Sequence, residues 1–472
     1  NERYEAPQFR ITTTKEFFTA FEEQYGEYLP TYGGDMTPTW EDGASSTARE
    51  TAMNRESAAR LTRTEILWSM LSPESDYPAR ELAEAWKNVL LFSEHTWGAS
   101  ASGPDPYSQF TKDLWAGKKM YADSADVQSR RLCDEAMAGI TAGEGYVQVL
   151  NTNLWPRTDV VTVAADLTGK RLLAPSGEPV AVQRLHDGGW IFLAEEVPAL
   201  SSSVYRIVPA AKAKKSPAAP VSMIGGNVLD NGLVRVAVDP AKGTIRSLKA
   251  AGADYEYAAG EGLNDYIYSG RIAADPRGID RVTCVEVLDD GPVAATLRIV
   301  SDAPGCNALW RDVTVYRGLG RVDIRNTVDK QDILEHESVR FVFPFNFAHP
   351  EITMDLAMSE MHPEREQLAG VNKHYYSLLN GMAVGDLEHA VCLTTLDAPF
   401  VELGTPSGED YRLNPRHGYG WWPSAQISPV VYSWVMNNTW RTNYKASQGG
   451  VASFRYSLQI CDPFDLKLKQ RG

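Results

Sequence analysis

One change of periodicity, near residue 143, constrains what this chain can fold into. Upstream of it apolar residues recur at helical spacing; downstream they alternate, or run in short strand-length blocks. Residues 14–25 (TKEFFTAFEEQY) read as a short amphipathic helix capped by Thr13 or Thr14. A Gly-rich, aromatic loop from Pro30 to Ser46 follows. A long helix is then predicted over 46–72, with Ala48, Ala52, Ala59, Ile66 and Met70 along one stripe. Two more helices are predicted. One covers about 76–94, with Leu82, Trp86, Val89 and Leu90 on one face. The other covers about 107–140, with Phe110, Leu114, Tyr121, Ala125, Leu132 and Ala136 in register. Long helices joined by short connections imply an antiparallel three-helix bundle.

From Tyr146 onward the pattern is strand after strand. VQVLNTNLWPRTDVVTV alternates and is broken by a Trp-Pro turn, and RLLAPSGEPVAVQRL reads as a hairpin around Pro-Ser-Gly. WIFLAEEVPALSSSVYRIV completes a small β-domain near Val208. Residues 209–222, rich in Ala, Pro and Lys, read as a linker. The hairpin LVRVAVDPAKGTIRSL then opens a second β-region, followed by PVAATLRIV, WRDVTVYRG, RVDIRNTVD, SVRFVFPFNF, AVCLTTL and FRYSLQI, with no helices between them. That run predicts a large antiparallel sandwich. The fold class expected is α+β multidomain. Residues 30–143 form the bundle, 144–208 the small β-domain, 209–222 the linker and 223–472 the large sandwich.

Charge narrows the functions. With 46 Lys and Arg against 61 Asp and Glu, the net charge is −15, so phosphate backbones and anionic lipid are repelled. No stretch approaches the ~20 apolar residues of a membrane helix, and no signal peptide is read. Nucleic acid and membranes are therefore not expected partners. The 5 cysteines have no C-x-x-C spacing and read as buried free thiols. The 12 Trp and 21 Tyr suit sugar rings, whose C–H faces stack on aromatic planes, and suit a β-sandwich core equally well.

Chemistry concentrates in residues 90–106, LLFSEHTWGASASGPDP. A helix delivers Glu94 and His95, and Trp97, Gly98 and small residues then turn the chain. His95 should sit at a helix end beside an open turn. From spacing alone, a histidine with no H-x-x-x-H partner and no nearby Cys reads either as a local hydrogen-bonding residue or as one ligand of a metal site completed elsewhere. The run Asn437–Asn443, centred on Trp440, reads as a sugar-site rim or as a loop held by Asn side chains. Gly418-Tyr419-Gly420-Trp421-Trp422 is similar, with core packing favoured.

VLLFSEHTWGAS resembles the segment of the glycoside hydrolase family 38 α-mannosidases in which a histidine between two bundle helices completes a zinc site. Three other stretches resemble that family in the same order: YGGDMTPTWEDGASSTARETAMNR (32–55), VLNTNLWPRTDVVTV (149–163) and SWVMNNTWRTNYKASQGGVASFRYSL (433–458). The resemblance implies a large sandwich of the galactose-mutarotase-like supersandwich kind. It implies His95 as a metal ligand, zinc or another divalent cation as cofactor, and an oligosaccharide or glycan as substrate. It places Trp40 as an aromatic stacking on sugar, with Asp35 in the same loop; Trp97, Asn438 and Trp440 are expected to bind substrate as well. Residues 1–29, of which QFRITTTKEFFTAFEEQ looks like a last strand and helix, are expected to be the remnant of an N-terminal α/β barrel.

Retaining hydrolysis uses two carboxyl groups about 5–5.5 Å apart. The resembled family draws both from its barrel. Asp35, Asp42, Glu94 and Asp105 match neither position, so no catalytic residue is assigned and the chain alone is expected to be inactive. Where the family often carries Asp after the ligand histidine, this chain has Thr96, which puts mannose as substrate in doubt. Two other classes remain open: a polysaccharide lyase, and a carbohydrate-binding protein without catalysis. Compartment is open as well, since free thiols lean cytoplasmic while a secreted or periplasmic protein would have lost a leader.

Overall fold

The computed structural model describes residues 9–32, 35, 41–94, 96–98, 100–138, 140, 143–210, 223–270, 276–357, 359–406, 421–440 and 442–461. Helix α1 spans Thr14–Tyr25 and opens with a capping box, Thr13 accepting from the Glu16 amide while the Glu16 carboxylate accepts from the Thr13 amide. The bundle helices are α2 (Ala48–Leu71), α3 (Ala79–Phe92) and α4 (Gln109–Ala138). Residues 9–13 form no strand. The linker residues 211–222 lie outside the described residues.

The bundle buries a different face of α2 from the one predicted. Ala48, Thr51, Asn54, Ser57, Leu61, Thr64 and Leu67 face inward, while Ala59 is exposed and Ala52, Ile66 and Met70 are only half-buried. Two of the inward hydroxyls bond back on their own helix, Ser57 donating to Met53 O at 2.8 Å and Thr64 to Arg60 O at 2.8 Å, while Thr51 donates to Ala44 O at 3.0 Å in the segment before it. A stripe of small polar residues that bond back one turn carries no hydropathy signal. On α4, Phe110 is likewise exposed, whereas Ala122, Ala125, Leu132 and Ala136 are buried. Leu90 of α3 points to solvent, its place inside taken by Ala85 and Phe92.

Beyond the bundle, every pairing between strands among the described residues is antiparallel. Tyr146–Asn151, Ser201–Pro209, Lys170–Leu173 and Pro179–Val180 form one sheet, and Arg157–Val163, Trp190–Val197 and Val182–Arg184 pack against it as a second. The two enclose Phe192, Tyr205, Leu167 and Leu172. The Pro-Ser-Gly hairpin is present, closed by Gly177 donating to Ala174 O.

The large unit is built on a nine-stranded sheet. Its spine is Arg281–Asp290, Ala294–Asp302, Cys306–Tyr316, Arg321–Lys330, Gly450–Cys461 and Ala390–Thr395. A five-stranded sheet centred on Ser338–Pro344 and Val430–Asn437 covers it, and a smaller four-stranded sheet holds the Val234–Val238/Ile245–Ala250 hairpin. Between the layers sit Phe341, Phe343, Phe454 and Tyr456. Arg340 and Glu402 are fully buried together, Arg340 Nε donating to Glu402 Oε2 at 2.5 Å beneath the Trp434 ring. The architecture is thus α+β multidomain: a three-helix bundle, a small β-domain and a large antiparallel sandwich. Cys306, Cys392 and Cys461 are buried, the Sγ atoms of the last two 3.3 Å apart, whereas Cys133 is half-buried and Cys284 is exposed on an edge strand. Among the described residues no helix is long and apolar enough to cross a membrane.

What positions the 94–98 turn is the seam between bundle and sandwich. Arg55 of α2 donates to four backbone carbonyls of the sandwich: Leu378 O (3.1 Å), Leu379 O (2.7 Å), Thr395 O (3.0 Å) and Leu396 O (3.2 Å). Next to it, Arg455 bridges Glu56 of α2 and buried Asp397. The start of α2 is capped by the sandwich: Gln448 accepts from the Ala48 amide at 3.0 Å and donates to Ser45 O at 2.6 Å.

Candidate functional site

Helix α3 ends at Phe92, and its last carbonyls need donors. Two neighbours supply them. Asn54 of α2 donates to Val89 O (3.3 Å) and to Ser93 Oγ (3.1 Å). Lys118 of α4, 7% exposed, donates to Leu91 O (2.9 Å), Glu94 O (2.7 Å) and Glu94 Oε2 (3.2 Å). A cation at a helix C-terminus also complements the negative end of the helix dipole. Burial lowers the Lys118 pKa from its ordinary value, and the Glu94 carboxylate opposes that shift. The same Glu94 carboxylate accepts from the Thr96 amide and hydroxyl, each at 3.3 Å. Glu94 is therefore committed to holding the turn.

The far side of the turn is held by the sandwich. The amides of Trp97 and Gly98 both donate to Asn443 O, the latter at 2.9 Å, and Asn443 adopts φ +68. Asn tolerates that left-handed conformation better than most residues. Trp97 is 5% exposed and meets Phe92 edge-on at 5.5 Å. Tyr444 and Ala122 complete this cluster, with Trp440, Met53 and Tyr121 packed against it. The Trp440 indole donates to Asp42 Oδ2 at 3.3 Å, and Asn437 donates to Asp42 O at 2.8 Å. Gly43 is needed here, because a Cβ would lie 2.2 Å from the Tyr444 ring.

The structure therefore brings Trp97 and Trp440 into one cluster at the bundle–sandwich seam. Asn438 stands two residues before Trp440, and its amide is spent on the loop. It donates to Ile333 O, Glu335 O and Ala446 O and accepts from the Glu337 amide at 2.8 Å. Asp35 is tied instead to residues 366–368, through a bridge to Gln367 and the bonds Asp35 N–Glu366 O (2.7 Å) and Leu368 N–Asp35 O (3.1 Å). Trp40 and His95 lie outside the described residues, as do Gly418, Tyr419 and Gly420. Trp421 and Trp422 pack on His374, at 5.6 and 4.3 Å. Among the described residues no group of three or more His, Cys, Asp or Glu side chains is placed to hold a metal ion. Sequence reasoning missed Lys118 and Gln448, and it weighed Asp42 only as a catalytic carboxylate and Asn443 only within the Asn437–Asn443 run. Each acts through partners distant in sequence, so no local spacing could mark it.

Comparison with known proteins gives the class. The profile of the α-mannosidase middle domain matches residues 38–132, which include the whole of α2 and α3 and the turn after them. Two of the solved structures that share the fold are α-mannosidase-type proteins by description. One is an α-mannosidase from Enterococcus faecalis V583, with TM-score 0.72 and 13% identity, covering 100% of this chain and 61% of that one. The other, also from Enterococcus faecalis, is a protein in glycosyl hydrolase family 38, with TM-score 0.68 and 13% identity, covering 100% and 62%. This chain therefore spans about three-fifths of the length of both. No curated protein matches the sequence. Residues 38–132 are thus similar to an α-mannosidase middle domain, and the whole chain shares the fold of those two structures.

Proposed function

We propose that this chain is the bundle-and-sandwich part of a metal-dependent, retaining glycoside hydrolase that acts on α-mannosides or closely related glycans. The observation that carries the reading is the middle-domain match over residues 38–132, because that match contains the 94–98 turn. The turn is clamped from the bundle by Lys118 and from the sandwich by Asn443. A turn held from both sides moves little, and positioning of that kind lets a ligand residue act with little reorganisation. His95 would supply one neutral imidazole to a zinc or other divalent ion whose remaining ligands lie in the part of the protein beyond this chain. Bound there, such an ion supplies Lewis-acid polarisation of sugar hydroxyls.

Within this chain the remaining work is binding and positioning. Trp97 and Phe92 exclude water behind the turn, and Asp42 orients the Trp440 ring through its indole N–H. Trp40 and Asp35, which precede α2 in the sequence, are proposed to contact sugar. The nucleophile and the acid/base are proposed to lie outside these 472 residues. Residues 1–29 fit a segment that completes another domain: α1 buries none of its residues, and Phe17, Phe18, Phe21 and Tyr25 are all exposed. An apolar helix face of that size is not left in water without a neighbour.

The test is hydrolysis of 4-nitrophenyl α-mannopyranoside by the protein extended upstream, followed by NMR of the first-formed anomer. Turnover that retains the α-configuration and is lost on chelation supports the assignment. Cleavage by elimination, giving unsaturated products, or no turnover of any α-glycoside would overturn it.

A further inference from the structure

The N-terminal end of α4 and the sandwich enclose a cleft of about 700 Å³ that the reading above does not use. Tyr107, Lys112 and Trp115 come from the helical side, and Asp329, Asp332 and Lys445 from the sandwich. Its volume lies in the usual range for ligand pockets. The floor is bare backbone at Gly449 and Gly450. Gly450 has φ +91, and a Cβ on Gly449 would come within 2.8 Å of Asp332 Cβ, so side chains there would be strained or would close the cleft.

The chemistry of the walls is mixed in a specific way. Among the described residues Lys112, Lys445, Asp329 and Asp332 form no ion pair with one another or with other groups. Lys445 instead lies over the Trp115 ring, with Nζ 5.6 Å from its centroid. Lys330 beneath them is neutralised internally, at 2.6 Å from Glu337. Two carboxylates disfavour an anion and two ammonium groups disfavour a metal cation. The four charges disfavour an apolar ligand. A neutral polyol satisfies all of them, because each hydroxyl both donates to carboxylate and accepts from ammonium. Tyr107 is 63% exposed and offers a ring face for sugar C–H groups. The inner wall abuts the turn: a Cβ on Gly98 would lie 3.5 Å from Trp115 Nε1, an indole N–H that is buried with no hydrogen-bond partner.

We propose that this cleft binds a neutral oligosaccharide, alongside the 94–98 turn, so that the protein recognises glycan chains and not single sugars. The proposal rests on the glycan-active reading for its ligand class. The experiment is a saturation-transfer NMR titration of the 472-residue chain with α-linked mannotriose, with trigalacturonate and inorganic phosphate as charged probes. Saturable binding of mannotriose is expected, weakened about tenfold or more by Tyr107→Ala and by Asp332→Ala, with the charged probes weaker. Both substitutions are at the surface, and circular dichroism with a thermal melt verifies that the fold is retained. Absence of saturation up to about 20 mM, affinity unaltered in both variants, or preference for a charged probe overturns the proposal. The glycosidase reading fails separately: mannotriose binding lost in Tyr107→Ala, together with no turnover by the extended protein, would leave the cleft standing and remove the enzyme.

Discussion

Replacing Arg55 by Met tests whether the bundle is bolted to the sandwich by one side chain. The substitution keeps the length of the stem and removes the donors that serve Leu378 O, Leu379 O, Thr395 O and Leu396 O. A hydrogen bond from a charged group contributes about 1.5–3 kcal/mol, and an acceptor left dry costs about 1–3 kcal/mol. Arg55 is half-buried, so water reaches some of these carbonyls, and two of them share one guanidinium nitrogen. The contributions are therefore not additive, and a net loss of about 3–5 kcal/mol is expected. Urea unfolding followed by circular dichroism at a helix-sensitive wavelength is the assay, with limited proteolysis to show whether the bundle opens first. Arg55→Lys should recover less than half of the loss, since one ammonium cannot reach turns on two strands as a planar fork does. Arg130→Ala, which removes an exposed guanidinium from Asp126 while leaving that carboxylate its Arg60 partner, serves as the control and should cost within about 0.5–1 kcal/mol. A loss below about 1 kcal/mol in Arg55→Met, or full recovery in Arg55→Lys, would refute the reasoning.

Three further outcomes follow from the same geometry. Lys118→Met should leave Leu91 O and Glu94 O without their buried donor, costing about 2–3 kcal/mol and speeding amide exchange at Trp97 and Gly98, which hydrogen-exchange mass spectrometry reads. Asn438→Ala should destabilise by about 2–4 kcal/mol, because it releases Ile333 O, Glu335 O, Ala446 O and the Glu337 amide together; its thermal melt should fall well below that of the parent. Burial holds His374 neutral, lowering its pKa from 6.5 to about 4. The unfolded chain then binds more protons in that window, so stability should fall as pH drops from about 6.5 toward about 4, and the slope should flatten in His374→Gln, as melts at stepped pH would show.

Much of the fold was legible because it rests on local pattern. The capping box of α1 and the Pro-Ser-Gly hairpin are signals within a few residues, and α1 runs over Thr14–Tyr25 as its apolar spacing implies. The buried face of α2 was not legible. Ser57, Thr64 and Asn54 are polar by composition and become core only after back-bonding or reaching α3. The site divides along the same line. Trp97 and Trp440 could be picked out as aromatics beside turn residues, and they do meet at one seam. Asn438 looked like a ligand-facing amide because its partners, Ile333 and Glu335, are distant in sequence. Lys118 was invisible for the same reason: nothing in α4 marks a lysine that will be buried against the end of another helix.

His95 is proposed to give one imidazole to a metal ion held chiefly by residues beyond this chain. Metal analysis after exhaustive dialysis tests it directly, on the 472-residue chain and on the same protein extended upstream. About one zinc per molecule in the extended protein, reduced by His95→Ala, with well below one in the shorter chain, is the expected result. Stoichiometric zinc in the shorter chain, or an extended protein whose zinc is indifferent to His95→Ala, would contradict it.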